Sequence, residues 1–95
     1  MLKAILVAAS VNPTAPTAET EDRCEAIGEL AGSIMTARQE GVPLSRMMGI
    51  ANGNEGIIAL VLQAYGQPRF STNTVRMEAV ADFHNQVELI CYEQM

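Results

Sequence analysis

The sequence predicts an all-α fold: a compact bundle of about four helices, with long first and last helices clasping two shorter ones, preceded by an N-terminal extended arm or signal. Three observations carry this. Beyond about residue 20, apolar residues recur at spacings of three and four, the period of one helical face. Clusters of Gly, Pro and Asn near positions 41–43, 52–54 and 66–73 cut that stretch into four. The composition, 48% hydrophobic and 18% charged, suits a folded globule and excludes a disordered chain. Ninety-five residues make one domain, which buries about 60 to 65% of its unfolded surface and so has a small core. The expected division is 1–19 as signal-like or extended arm and 20–95 as helical domain.

The opening stretch, "MLKAILVAASVNPTAPTAET", has Lys3, an aliphatic run over residues 4–9, and a Ser/Asn/Pro/Thr-rich segment reaching Ala18. That is the order of a secretory signal: positive, apolar, then small. The apolar run is short, and Pro16 stands where a small residue is usual before a cut after Ala18. The competing expectation is therefore a strand or arm over residues 2–11 that engages a partner. The first reading implies a periplasmic or secreted protein, the second a cytoplasmic or virion-associated one.

The first helix is capped by Thr20 or Asp22, and Glu19, Glu21 and Asp22 suit the positive end of its dipole. Cys24, Ile27, Ala31, Ile34 and Met35 share one face, on which Gly28, Ala31 and Gly32 are small enough to admit a close neighbour. Arg38 complements the last turn, and Gly41 with Pro43 stops the helix. The second helix runs from about Pro43 to Ala51, is closed by Asn52 and Gly53, and presents Leu44, Met47, Met48 and Ala51. The third begins near Asn54 and carries "GIIALVLQAYG" until Gly66 and Pro68 stop it; it is apolar nearly all round, which predicts a central, buried helix, with a buried strand as the competing reading. Ser71 or Asn73 caps the last, whose stripe runs through Val75, Ala79, Val80, Phe83, Val87, Ile90 and Cys91.

Eleven acidic against six basic residues give a formal charge of −5, which disfavours nucleic acid and anionic lipid as partners. No apolar run approaches the roughly 20 residues needed to span a bilayer, so no membrane insertion of the domain is expected. Cys24 lies one turn into the first helix and Cys91 one turn from the end of the last. Antiparallel packing of these helices brings the two together, so a disulfide is geometrically natural. The alternative is a pair of free buried thiols in a reducing compartment.

His84 is the sole histidine. Seven helical residues separate it from Cys91, a rise of about 10.5 Å, too far for both to hold one metal. It reads instead as a packed, hydrogen-bonded residue with Glu88, four residues on, as its neighbour. The attraction within that pair depends on pH, which makes His84 and Glu88 the candidate pH-sensitive pair. None of Ser10, Ser33, Ser45 or Ser71 stands in a Gly-x-Ser-x-Gly setting. The carboxylates of the first helix read as a solvated face. The sequence thus points away from an enzyme, a cofactor or a metal site. Leu44, Met47 and Met48, beside Gly49, form the candidate plastic partner surface.

At "DRCEAIGELAGSIMTARQEGVPLSRMM" and "ADFHNQVELICYEQM" the chain resembles small two-cysteine helical proteins of proteobacteria and their phages. The resemblance covers about residues 21–93 and implies a signal peptide, a short helical domain and an envelope or phage setting, without an activity. A looser likeness, of architecture alone, is to the acid-activated periplasmic chaperones of the HdeA type. The expectation is a non-enzymatic interaction protein, of the cell envelope or phage-encoded, with an unidentified protein partner or a second copy of itself. An acid-responsive chaperone is the first alternative, since full protonation leaves only six Lys/Arg and the imidazolium charged. A virion component that assembles through its N-terminal arm is the second.

Overall fold

The computed structural model describes residues 17–94. The signal-like or extended segment therefore lies outside the described residues, apart from its last three positions. Four helices follow in order: α1 (Ala18–Gln39), α2 (Leu44–Ala51), α3 (Glu55–Tyr65) and α4 (Asn73–Glu93). No strand occurs among the described residues. The all-α bundle predicted from periodicity and punctuation is the observed fold.

α1 starts earlier than expected. Its cap is Thr17, in extended conformation, whose hydroxyl accepts from the Thr20 backbone N–H at 3.1 Å, rather than Thr20 or Asp22. Extending an existing helix by one residue adds a hydrogen bond, so the helix grows back to the first hydroxyl that can close it. Its far end is a Schellman turn. Gly41, at φ +86°, lets its N–H reach the Arg38 carbonyl at 3.1 Å and the Val42 N–H reach the Ala37 carbonyl at 3.0 Å. Pro43 sits just outside α2, its carbonyl accepting from the Arg46 and Met47 N–H groups. Asn52 (φ 50°) and Gly53 (φ 80°) end α2 in left-handed conformation, as their positions predicted. Asn54 then caps α3, accepting from the Ile57 N–H at 3.0 Å. Of three adjacent residues able to cap α4, neither Ser71 nor Asn73 does so. Thr72 is extended and accepts from the Val75 N–H at 3.3 Å, and Asn73 is already helical.

Long α1 and α4 run antiparallel and pack against each other, α3 lies against α1, and α2 is held against α3. The core is drawn from all four: Ala31, Ile34 and Met35 from α1, Met47 from α2, Val61 and Ala64 from α3, and Ala79, Phe83 and Val87 from α4. The α1–α4 contact is close because α1 offers glycine there. A Cβ built on Gly28 would fall 2.5 Å from Glu88 Cγ and 2.8 Å from His84 Cδ2.

α3 departs from expectation. It is not a centrally buried helix: only Val61 and Ala64 are buried, and Leu62 is 53% exposed. With α1 on one side and small α2 on another, the bundle has too few helices to cover α3 all round. Its half-buried Ile57 and Leu60 line one wall of a groove, and Leu62 is left exposed to solvent.

Candidate functional site

Antiparallel packing joins the start of α1 to the end of α4, and there Cys24 and Cys91 form a disulfide with Cα atoms 5.6 Å apart. Cys24 is fully buried, whereas Cys91 is half-buried, facing partly outward beside Ile90. The cross-link closes a loop with a sequence separation of 67. Chain entropy values such a closure at about 4 kcal/mol.

Two turns along α4, the expected neighbours meet: His84 Nε2 lies 2.9 Å from a Glu88 carboxylate oxygen. Both side chains are partly buried, because the imidazole rests on the notch left by Gly28 and also reaches Gly32, with Nδ1 3.7 Å from a Cβ built there. The pair is thus part of the helix–helix seam. Further along α4, the half-buried Tyr92 has its phenol pKa raised above the usual 10.0, first by partial burial and then by the carboxylates of Glu21, Glu88, Glu25 and Asp22.

The three residues expected to make a partner surface are divided by the structure. Met47 is in the core, Met48 is half-buried against it, and Leu44 is 42% exposed. They share one face of α2, of which Met47 and Met48 turn inward, because an eight-residue helix has no other apolar stripe with which to dock on α3, while Leu44 stays exposed at the first residue. The outward apolar residues of α2 are Leu44 and, most exposed, Ile50 at 65%.

Continuous apolar surface is found elsewhere. A groove of about 490 Å³ runs beside the N-terminal half of α3. The walls are Ile27 and Leu30 of α1, Ile57 and Leu60 of α3, and Val87 and Ile90 of α4. Cys91 lines it, so the disulfide fixes the spacing of two walls. Arg23, Asn54 and Gln94 supply polar groups around the groove. A second groove of about 470 Å³, between Thr36, Glu40, Asn73 and Arg76, is more polar and includes Met77. His84 lines neither. Among the described residues no three His, Cys, Asp or Glu side chains converge as a metal site. No described helix is long and apolar enough to cross a membrane.

One residue escaped the sequence reading. Gln39, buried at the end of α1, donates to the Pro68 carbonyl at 3.0 Å and accepts from the Phe70 N–H at 2.8 Å. Its own carbonyl accepts from Arg69 Nε at 3.2 Å. Arg38 Nε reaches the Gln67 carbonyl at 2.9 Å while its guanidinium stacks 5.2 Å from the Tyr65 ring centroid. Together these bind the α3–α4 connection to the end of α1. The available signal was position: a glutamine in line with the apolar face of α1, four residues after Met35.

Comparison with known proteins gives no family: no family model, curated protein or solved structure matches the chain.

Proposed function

We propose that this chain is a non-enzymatic protein-interaction module of an oxidising compartment, the periplasm or cell exterior, that receives a partner segment in the groove between α1, α3 and α4. The observation that carries this reading is the groove itself: aliphatic on three sides, and bordered by Leu30 and Ile90, 39% and 37% exposed. Small domains bury such side chains when they have the helices to do so, and a contiguous apolar surface left open marks a contact site. The disulfide supports both halves of the proposal. Disulfides persist where the environment is oxidising, and a cross-link that holds two groove walls reduces the ordering cost of binding.

Site-directed photo-crosslinking in the native host tests this. A photoreactive residue at Leu30 or Ile90 is expected to trap one discrete partner, and the adduct formed from Ile90 is expected to disappear with Leu30→Glu. The same probe at Glu78, on the exposed face of the first half of α4, should trap nothing comparable. Indistinguishable patterns from groove and control positions, or no adduct from either groove position, would overturn the proposal.

A further inference from the structure

The groove is lined by few polar groups, and their signs are uneven. Arg23, Ile27 and Leu30 follow one another at spacings of four and three, so they form a single ridge of α1, and all three line the groove. Residues two places from Arg23 are turned about 200° around the helix, which sends Glu21 and Glu25 to the far side of α1. Their carboxylates, with those of Asp22 and Glu88, act instead on Tyr92, which does not line the groove. Arg23 is therefore the only charged residue of the lining. Arg38, Arg69 and Arg76 each donate to a backbone carbonyl. The Arg23 guanidinium has no ion-pair partner among the described residues, where the single such pair is His84 with Glu88. Asn54 adds donors of its own to the lining: its Oδ1 accepts from the Ile57 N–H at 3.0 Å in capping α3, which leaves its amide N–H groups for a guest. α1 packs on both α3 and α4, which have no comparable contact with each other, so a guest in the groove rests on the α1 ridge between them.

Resting on the reading of the groove as a partner site, we infer that the occupant is a partner helix with aliphatic anchors on one face and one carboxylate, of Asp or Glu, set beside them to meet Arg23. Every wall is a helix whose backbone is already paired, so an extended segment finds no free strand edge, whereas a helical one brings its own backbone bonds. Its anchors match Ile27, Leu30, Ile57, Leu60 and Ile90. A carboxylate can accept both N–H groups of a guanidinium fork, the geometry Arg23 offers. A lysine in the same place sets like charge against Arg23 in a lining without a carboxylate, which selects against it. The match is to one acidic residue and not to an acidic run: the net charge of −5 repels every carboxylate that approaches, and only the one beside Arg23 gains a partner.

The test is titration of the full chain with synthetic helical peptides of about 18 residues, with leucine anchors on an Ala/Gln background and Glu, Gln or Lys at one position, a turn beyond the anchors on the same face. Arg23 stands at one end of the groove, so each peptide is made with the variable position on the N-terminal or the C-terminal side of the anchors. On one of these sides the Glu peptide is expected to bind about three- to tenfold more tightly than the Gln peptide, with the Lys peptide weakest. Arg23→Gln should level Glu with Gln, and Arg23→Glu should invert the order in favour of Lys; Arg23 is exposed, so neither change disturbs the core. Leu30→Ser with Ile90→Ser should weaken all the peptides about tenfold. Equal affinity for Glu and Gln on both sides, or tighter binding of Lys, overturns the carboxylate-bearing occupant while leaving the groove as a partner site. A Glu preference that survives Arg23→Gln overturns the assignment to Arg23, and binding that ignores the Leu30 and Ile90 substitutions lies outside the groove and overturns it as well. Binding of no peptide also overturns it, and crosslinking from Leu30 and Ile90 then decides independently whether the groove is a site at all.

Discussion

At Gly28 two opposite effects of a single methyl group can be weighed. Replacing glycine by alanine inside a helix ordinarily stabilises by about 1 kcal/mol, and at Gly49 of α2, where nothing lies within 4 Å of a built Cβ, that gain is expected in full. At Gly28 the same methyl collides with Glu88 Cγ and the His84 ring, and overpacking of this kind costs about 1 to 3 kcal/mol. Chemical denaturation should therefore show Gly28→Ala destabilised and Gly49→Ala stabilised, with His84→Ala and Glu88→Ala together rescuing much of the Gly28→Ala loss. Stabilisation by Gly28→Ala alone would mean that α4 does not sit where the structure places it. Tyr92 gives a second reading at this scale. Its raised pKa means that the folded chain keeps the phenolic proton to higher pH than the unfolded chain does. The associated stability is present below the usual value of 10.0 and is lost as pH rises through the folded value. In Tyr65→Phe, which leaves Tyr92 as the one phenol, an alkaline absorbance titration should give a midpoint above 10.0. A midpoint at or below 10.0 refutes the placement of Tyr92 among the carboxylates.

Between elements, a few polar groups decide how the helices are joined. Gln39→Ala strips partners from the Pro68 carbonyl and the Phe70 N–H at the end of α1, for an expected loss of about 3 kcal/mol at equilibrium. A loss within about 0.5 kcal/mol, the range of ordinary surface substitutions, would show that the connection is held by other contacts. The double variant Cys24→Ser with Cys91→Ser should lose up to about 4 kcal/mol, with the earliest exchange of backbone amides at the freed ends of α1 and α4. This is also the scale at which the sequence was most and least readable. Gly41, Asn52 and Gly53 announced helix ends because left-handed backbone strongly favours Gly and Asn. The N-terminal boundaries did not announce themselves, since Thr17, Thr20 and Asp22, or Ser71, Thr72 and Asn73, are chemically near-equivalent caps and only tertiary contacts rank them. The His84–Glu88 pair and the cysteine pairing were legible, because helical spacing and antiparallel order fix them. The fate of Met47 was not: a wheel shows that Leu44, Met47 and Met48 share a face, but not whether that face looks in or out.

For the whole molecule, the deciding quantity is how much apolar surface four helices of these lengths can cover. α3 looked central because it is apolar nearly all round, yet α1, α2 and α4 leave part of it uncovered: Ile57 and Leu60 line a groove and Leu62 faces solvent. Period and hydropathy do not separate these cases, because both demand aliphatic residues on more than one face. Charge was legible as a total of −5 but not as a distribution. Only antiparallel pairing of α1 with α4 collects the carboxylates at one end and the arginines that fasten the α3–α4 connection at the other. The disulfide, a source of stability and of spacing, also governs how the molecule bears load. Tension applied through handles at Thr17 and Gln94 passes from one cysteine to the other across the sulfur bridge, and almost all of the bundle lies in the slack ring between them. Stretching in an optical trap should release only the short tails outside the ring, at about 3.5 Å per residue, until a reductant is added and the ring opens to its full contour. A machine that threads polypeptides from an end would meet a knot-like obstacle two chains thick. For as long as the bridge is intact, the fold can be dissolved by heat or denaturant but not unspooled by force.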